Sequence, residues 1–273
     1  MTSKALFLSK VAPRLWHRHS VGSTSNAVEI WTTTCIVMNF GQTTDADCSV
    51  LINPANPQLT GVAKFPYFPK GGPVPTTAPA QFEHHIMGHV SKWGGMEVGH
   101  GMLFPVSVVD GLVHTYGGWH LQMALQWHRL KASTSSSCTA VRRRRDACPI
   151  GTAVRTTAGK EKLRQTYEAV IHTAPPFYHY PEETSQDDNA EDLLHACYKS
   201  ALDQVEPHET RVATPLLGAG CRGFPLESAM DAAVQATREW CLENENRNVT
   251  VAFGLLEETW AKQMMDLLNE SAE

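Results

Sequence analysis

The sequence predicts an α/β fold in three layers, with helices on both faces of a central sheet. Three observations carry that prediction. CSVLIN, YEAVIHT and VTVAF are short, nearly continuous apolar runs, the pattern of strands buried on both faces. Such runs alternate along the chain with segments whose apolar residues recur at helical spacing. Gly and Pro stand where strand gives way to helix, as in LLGAGCRGFP, Leu216 to Pro225.

Taken in order, the first 28 residues hold Lys4, Lys10, Arg14 and Arg18, several serines and no acid. This is the composition of a transit peptide. The stretch 1–28 is therefore expected to be an N-terminal extension with a mitochondrial address; an extension without an address would leave the chain cytoplasmic or nuclear. A single domain is expected over 29–273. EIWTTTCIVMNF, from Glu29, reads as a strand ending at Gly41, and CSVLIN, Cys48 to Asn53, as a short buried one. The stretch 57–105 is crowded with Pro, Gly and aromatics and has no period, so it reads as an insertion. Asp110 to Leu130 reads as a helix interrupted at Gly117-Gly118, and 131–147 as a second, polar excursion. Thr152 to Thr157 and Tyr167 to Thr173 read as strands, the latter ended by Pro175-Pro176. Leu193, Leu194, Cys197, Ala201, Leu202 and Val205 mark a helix, VATPLL a strand, and Ala229, Met230, Ala233, Val234, Thr237, Trp240 and Cys241 one face of the next helix. Val249 to Phe253 reads as a buried strand and Leu255 to Leu268 as a final amphipathic helix.

With 273 residues, 42% of them hydrophobic and 19% charged, the chain is long enough to bury most of the surface its unfolded form exposes. A net charge of -5 supplies no general basic field, which argues against nucleic acid as a partner. Arg142 to Arg145 reads as a solvated loop. The seven cysteines are odd in number and lack C-x-x-C spacing, which points to a reducing compartment and away from a thiolate zinc site. His84, His85, His89 and His100 in the insertion read as loop histidines, with no metal expected. No apolar run approaches the length of a membrane span, so no membrane partner is expected.

Gly218-Ala219-Gly220-Cys221-Arg222-Gly223 spells G-x-G-x-x-G between a strand and a helix, where backbone amides and the helix dipole favour phosphate. In a dinucleotide-binding fold this turn is the first of several βα units, with an acid some 20 residues on. Here only about fifty residues follow, room for roughly one more strand and helix. A nicotinamide-dependent oxidoreductase therefore fails on topology. A tight turn without a ligand is the plain alternative.

GQTTDADCSVLINPAN, Gly41 to Asn56, resembles the first segment of macro domains, in which a buried strand runs into an Asn-Ala-Ala-Asn loop. VDGLVHTYGG (Val109 to Gly118) is similar to the catalytic loop of that family. CPIGTAV and YEAVIHTAPP resemble its middle strands, LLHACYKSAL the helix behind them, and PLLGAGCRGFPLESAM its second phosphate loop. The resemblance implies an α/β/α macro domain with a mixed central sheet and an ADP-ribose ligand whose diphosphate lies against Gly218, Ala219, Gly220, Cys221, Arg222, Gly223 and Phe224. It also implies that Asn56 holds the distal ribose, that Asn53 braces the loop, and that Asp110 orients or deprotonates a water, with Gly111 and His114 beside it. A plain helix N-cap is the lesser alternative for Asp110; an Asx-turn role suits Asn53 better than it suits Asn56.

Two departures from the family pattern stand out. Gln42 occupies the position of the acid that recognises the adenine amino group, so its carbonyl would accept that hydrogen bond without charge. FPVSVV, Phe104 to Val109, replaces the glycines that usually precede Val-Asp-Gly. The expected function is hydrolytic: removal of mono-ADP-ribose from acidic side chains of modified proteins, or deacetylation of O-acetyl-ADP-ribose, by Asp110 with Asn56 and with no cofactor. A non-catalytic ADP-ribose reader is the alternative, and a monomer the expected state.

Overall fold

The computed structural model describes residues 13–33, 36–39, 48–61, 97–98, 101–102, 109–134, 146–178, 189–220 and 222–270. Strands β1 (Arg14–Ser20), β2 (Ala27–Thr32), β3 (Val50–Pro54), β6 (Ala153–Thr157), β7 (Ala169–Thr173), β8 (Arg211–Pro215) and β9 (Thr250–Leu255) form one sheet in the order β1-β2-β9-β8-β3-β7-β6. The pairs from β2 through to β7 are parallel, and the two edge strands pair antiparallel, β1 on β2 and β6 on β7. The sheet is therefore mixed. Glu97–Val98 (β4) and Gly101–Met102 (β5) form a separate two-stranded ladder.

Alternation along each central strand divides the core in two. Val50, Ile52, Ala169, Ile171, Val212, Val251 and Phe253 face α3 (Ala190–Leu202), α4 (Leu226–Glu243) and α5 (Glu258–Glu270). Leu51, Val170, Ala213 and Ala252 face the other layer, made by α1 (Ile36–Asn39), α2 (Val109–Thr134) and the 3-10 turn Lys162–Gln165. Both faces of the parallel strands are covered, as their near-continuous apolar runs require. α2 is interrupted at Gly118, whose φ of 59° and ψ of -151° take the chain out of helical geometry where the glycine pair predicts a break.

Three expectations change. The strand from Glu29 ends at Thr32, where the Thr33 amide donates to Leu255 O at 2.8 Å, and Ile36–Asn39 is helical. An apolar Ile-Val pair reads alike as buried strand or buried helix; here Ile36 and Val37 pack beneath α2, and the Tyr167 hydroxyl donates to Ile36 O at 2.6 Å.

The boundary at residue 28 is also corrected, since Arg14–Ser20 is the edge strand of the sheet. Trp16 Nε1 donates to Thr32 Oγ1 at 3.2 Å, and Arg18 pairs at 3.2 Å with the buried Glu29. The buried Asn26 in the following turn donates to Cys241 O and Asn244 O and accepts from the Val249 amide, all at 2.9 Å. Charge composition is blind to strand pairing, so the acid-free stretch hides a hairpin. The third change is at the excursions: residues 57–61 form a turn, and 131–134 continue α2. Most of both excursions, with His84, His85, His89, His100 and Arg142 to Arg145, lies outside the described residues, as do 1–12. Among the described residues no helix is long and apolar enough to cross a membrane.

Candidate functional site

The carboxyl ends of β3, β7 and β8 lie side by side, and the segments leaving β3 and β8 are the two loops that the glycine and asparagine motifs mark. In open parallel sheets this end is where ligands bind. Asn53 lies near the end of β3, His172 pairs with it in register on β7, and Asp110 stands in the first turn of α2. A carboxylate is favoured there by the helix dipole.

These side chains form one buried polar chain. Asn53 Nδ2 donates to Asp110 Oδ1 at 2.8 Å and contacts His172 Nδ1 at 3.1 Å, and His172 Nε2 lies 2.9 Å from Thr156 Oγ1. The amide orientation follows from charge, because reversing it would set Asn53 Oδ1 against the carboxylate. An amide hydrogen pointing at Nδ1 requires that nitrogen to accept, so the proton of the neutral ring sits on Nε2 and is donated to Thr156. Burial pushes the His172 imidazole down to about 3, with His114 adding to the effect, so the ring is neutral at physiological pH.

Burial by itself would raise the Asp110 carboxyl; His114, by charge and by hydrogen bonding, and the Asn53 amide outweigh it and hold the group below its ordinary value. His114 Nε2 lies 3.5 Å from Asp110 Oδ1, and its Nδ1 is 2.6 Å from Gln122 Nε2. Asp110 Oδ2 is buried and has no hydrogen-bond partner among the described residues. Asn56 Oδ1 is occupied by the turn that follows, accepting from the amides of Gln58 at 3.1 Å and Thr60 at 3.2 Å. Its Nδ2, like Asp110 Oδ2, is buried without a partner among the described residues.

The second loop is held from below. The Leu217 amide donates to the Tyr198 hydroxyl at 2.7 Å, Phe224 N–H to Gly218 O at 3.2 Å and Gly223 N–H to Gly220 O at 3.1 Å. Ala219 is half-buried and Gly220 exposed. Two side chains expected at the ligand are turned into the protein. Arg222 is only 7% exposed: its guanidinium lies 4.1 Å over the Phe177 ring and donates to Ala55 O at 3.0 Å. It therefore ties the second loop to the Asn53–Asn56 loop rather than lying in solvent. Phe224 is buried against Tyr178, ring centroids 5.0 Å apart. Gly111 is buried, its carbonyl accepting from Thr115 Oγ1 at 2.7 Å. Gln42 and Cys221 lie outside the described residues, as does the rim from Phe104 to Val108.

Sequence reasoning singles out Asn53, Asn56, Asp110 and His114, and the structure brings Asn53, Asp110 and His114 into contact. It misses His172, Thr156 and Gln122. A histidine inside YEAVIHT was the available signal, since an ionisable ring in a strand buried throughout must have partners for both nitrogens. Among the described residues no group of three or more His, Cys, Asp or Glu side chains is arranged to hold a metal.

Comparison with known proteins bears on this end of the sheet. A family model described as Macro domain matches residues 107–233, which include Asp110, His172 and the glycine loop. A macro domain-containing protein of Listeria monocytogenes serovar 1/2a is 31% identical over 163 residues, covering 59% of this chain and 80% of that one. An O-acetyl-ADP-ribose deacetylase of Escherichia fergusonii is 32% identical over 133 residues, 48% of this chain and 63% of that one. The chain thus spans just under two thirds of that relative, and 64% of a similar macro domain-containing protein of Cupriavidus necator.

Among solved structures, an Oceanobacillus iheyensis macrodomain with ADP aligns at a TM-score of 0.61 and 19% identity, covering 96% of this chain and 100% of that one. A Trypanosoma brucei macrodomain in complex with ADP-ribose aligns at 0.51 and 16%, covering 88% of this chain and 68% of that one. Sheet order, the two loops at its carboxyl end and these matches agree: the chain belongs to the macro domain family.

Proposed function

We propose that the chain binds ADP-ribose at the carboxyl end of the sheet and hydrolyses an ester of its distal ribose. The ester is either the link to an acidic side chain of a mono-ADP-ribosylated protein or the acetyl ester of O-acetyl-ADP-ribose. The carrying observation is Asp110, a buried, ionised carboxylate with Oδ1 engaged by Asn53 and Oδ2 without a partner among the described residues. The relative named O-acetyl-ADP-ribose deacetylase and the macrodomain solved with ADP-ribose support the choice of ligand.

In this reading the amides of the 218–223 loop hold the diphosphate and Asn56 Nδ2 meets a ribose hydroxyl. Water adds to the acyl carbon, its proton passing toward Asp110 Oδ2. The bond from the acyl carbon to the ribose oxygen then breaks, and the proton leaves with the ribose hydroxyl. The products are ADP-ribose and a free carboxylic acid. A carboxyl held below its ordinary range is a weak base, so its main contribution is to orient and polarise the water. The test is calorimetric titration with ADP-ribose beside NAD, together with release of ADP-ribose from a glutamate-modified protein and from the acetyl ester. Tight ADP-ribose binding with no release from either substrate would leave the reader in place of the hydrolase.

A further inference from the structure

Thr156, His172 and Asn53 form a buried polar chain that the proposed chemistry does not itself use. Asn53 has two amide hydrogens and a carbonyl oxygen that has no partner among the described residues, so only its NH₂ side decides how the amide is turned. One hydrogen meets Asp110 Oδ1 at 2.8 Å; the other meets His172 Nδ1 at 3.1 Å. Both acceptors lie in fully or nearly fully buried residues, where water cannot substitute for either.

We propose that His172 is a positioning residue: its unprotonated Nδ1 holds the Asn53 amide so that Asn53 donates to Asp110 Oδ1 and leaves Oδ2 to act on water. The proposal rests on the hydrolytic reading of Asp110. With Nδ1 protonated, the ring would instead draw the Asn53 carbonyl toward itself, and the amide could not serve both neighbours. The chain Thr156–His172–Asn53 thus sets the direction of the carboxylate. His114, on α2, lies 3.5 Å from the same oxygen, Oδ1.

The experiment compares wild type, His172→Leu, which removes the acceptor, and His172→Asn, whose carbonyl restores one near the position of Nδ1. Turnover in His172→Leu should fall about tenfold or more, as expected for a misaimed reacting group. ADP-ribose affinity should stay within about twofold, and His172→Asn should recover most of the turnover. The ¹⁵N spectrum of the wild-type imidazole should show Nδ1 as the unprotonated nitrogen, a readout that needs no variant to fold.

Wild-type turnover in folded His172→Leu, equal impairment in the two variants, or a protonated Nδ1 would each overturn the proposal. Should wild type release no ADP-ribose, the hydrolytic reading fails. The positioning claim is then decided by the ¹³C titration of the Asp110 carboxyl, which His114 and His172 face. That titration should move upward in His172→Leu and return in His172→Asn; an unmoved titration overturns the claim.

Discussion

Two glycines of the second loop should respond in opposite ways to the same substitution, Gly→Val. Gly218 has φ +85°, and a Cβ there would lie 2.9 Å from Leu194 Cδ2 and 3.0 Å from Phe224 Cδ2. Left-handed strain of roughly 1–2 kcal/mol and overpacking of about 1–3 kcal/mol add up to a loss of roughly 2–5 kcal/mol of stability. Gly220 is not in the left-handed region, and a Cβ there meets nothing within 4 Å among the described residues. Gly220→Val should therefore change stability by no more than about 0.5 kcal/mol.

Its effect falls on the ligand. Charge-assisted hydrogen bonds from amide to phosphate contribute about 1.5–3 kcal/mol each. If a branched side chain keeps the diphosphate from two amides, the loss of ~3–6 kcal/mol weakens ADP-ribose binding by roughly 10²- to 10⁴-fold. Thermal unfolding and calorimetric titration on both variants measure the two effects separately. A folded Gly220→Val protein that binds ADP-ribose with wild-type affinity would refute the phosphate role and leave these glycines as a turn alone.

Asp110→Ala should lower turnover by ~10²-fold or more with little change in ADP-ribose affinity, because in the proposed hydrolysis the carboxylate acts mainly at the transition state; equal losses in both would point to a binding role. His172 is neutral when folded down to about 3 but titrates near 6.5 when unfolded, so the unfolded state binds more protons between those values. Stability should fall as pH drops through that window, and urea melts of folded His172→Asn should show a shallower fall; identical pH profiles would contradict the buried neutral ring. Arg222→Met keeps the stem but loses the bond to Ala55 O and the stacking on Phe177, about 1.5–3 and 0.5–2 kcal/mol respectively, so a melt unchanged from wild type would refute the brace. Deleting residues 1–20 removes β1 and bares the edge of β2; a lower melting temperature and self-association on size-exclusion chromatography are expected, and an elution volume and a melt both unaltered from wild type would show the hairpin to be an appendage.

Periodicity alone places most of the layers. Val50-Leu51-Ile52, Ala169-Val170-Ile171 and Val251-Ala252-Phe253 are apolar at every position, and a strand can be so only if both its faces are covered. Asn53, Asn56 and Asp110 are legible for a different reason: INPAN and VDG resemble the asparagine loop and the catalytic loop of macro domains.

What the sequence could not disclose depends on contacts between distant segments. Arg14–Ser20 is a strand because β2 offers it an open edge, while Ile36–Asn39 folds back under α2 although its residues suit a strand equally well. Arg222 looks like a phosphate-pairing cation until Phe177 and Ala55 O are seen to enclose it. His172 lies 119 residues from Asn53 and becomes its partner only because β7 pairs with β3 in a register that sets the two side by side. Local pattern tells each residue which face of its own element to occupy; the order of strands in the sheet decides which buried polar groups meet, and so which oxygen of Asp110 is left without a partner among the described residues.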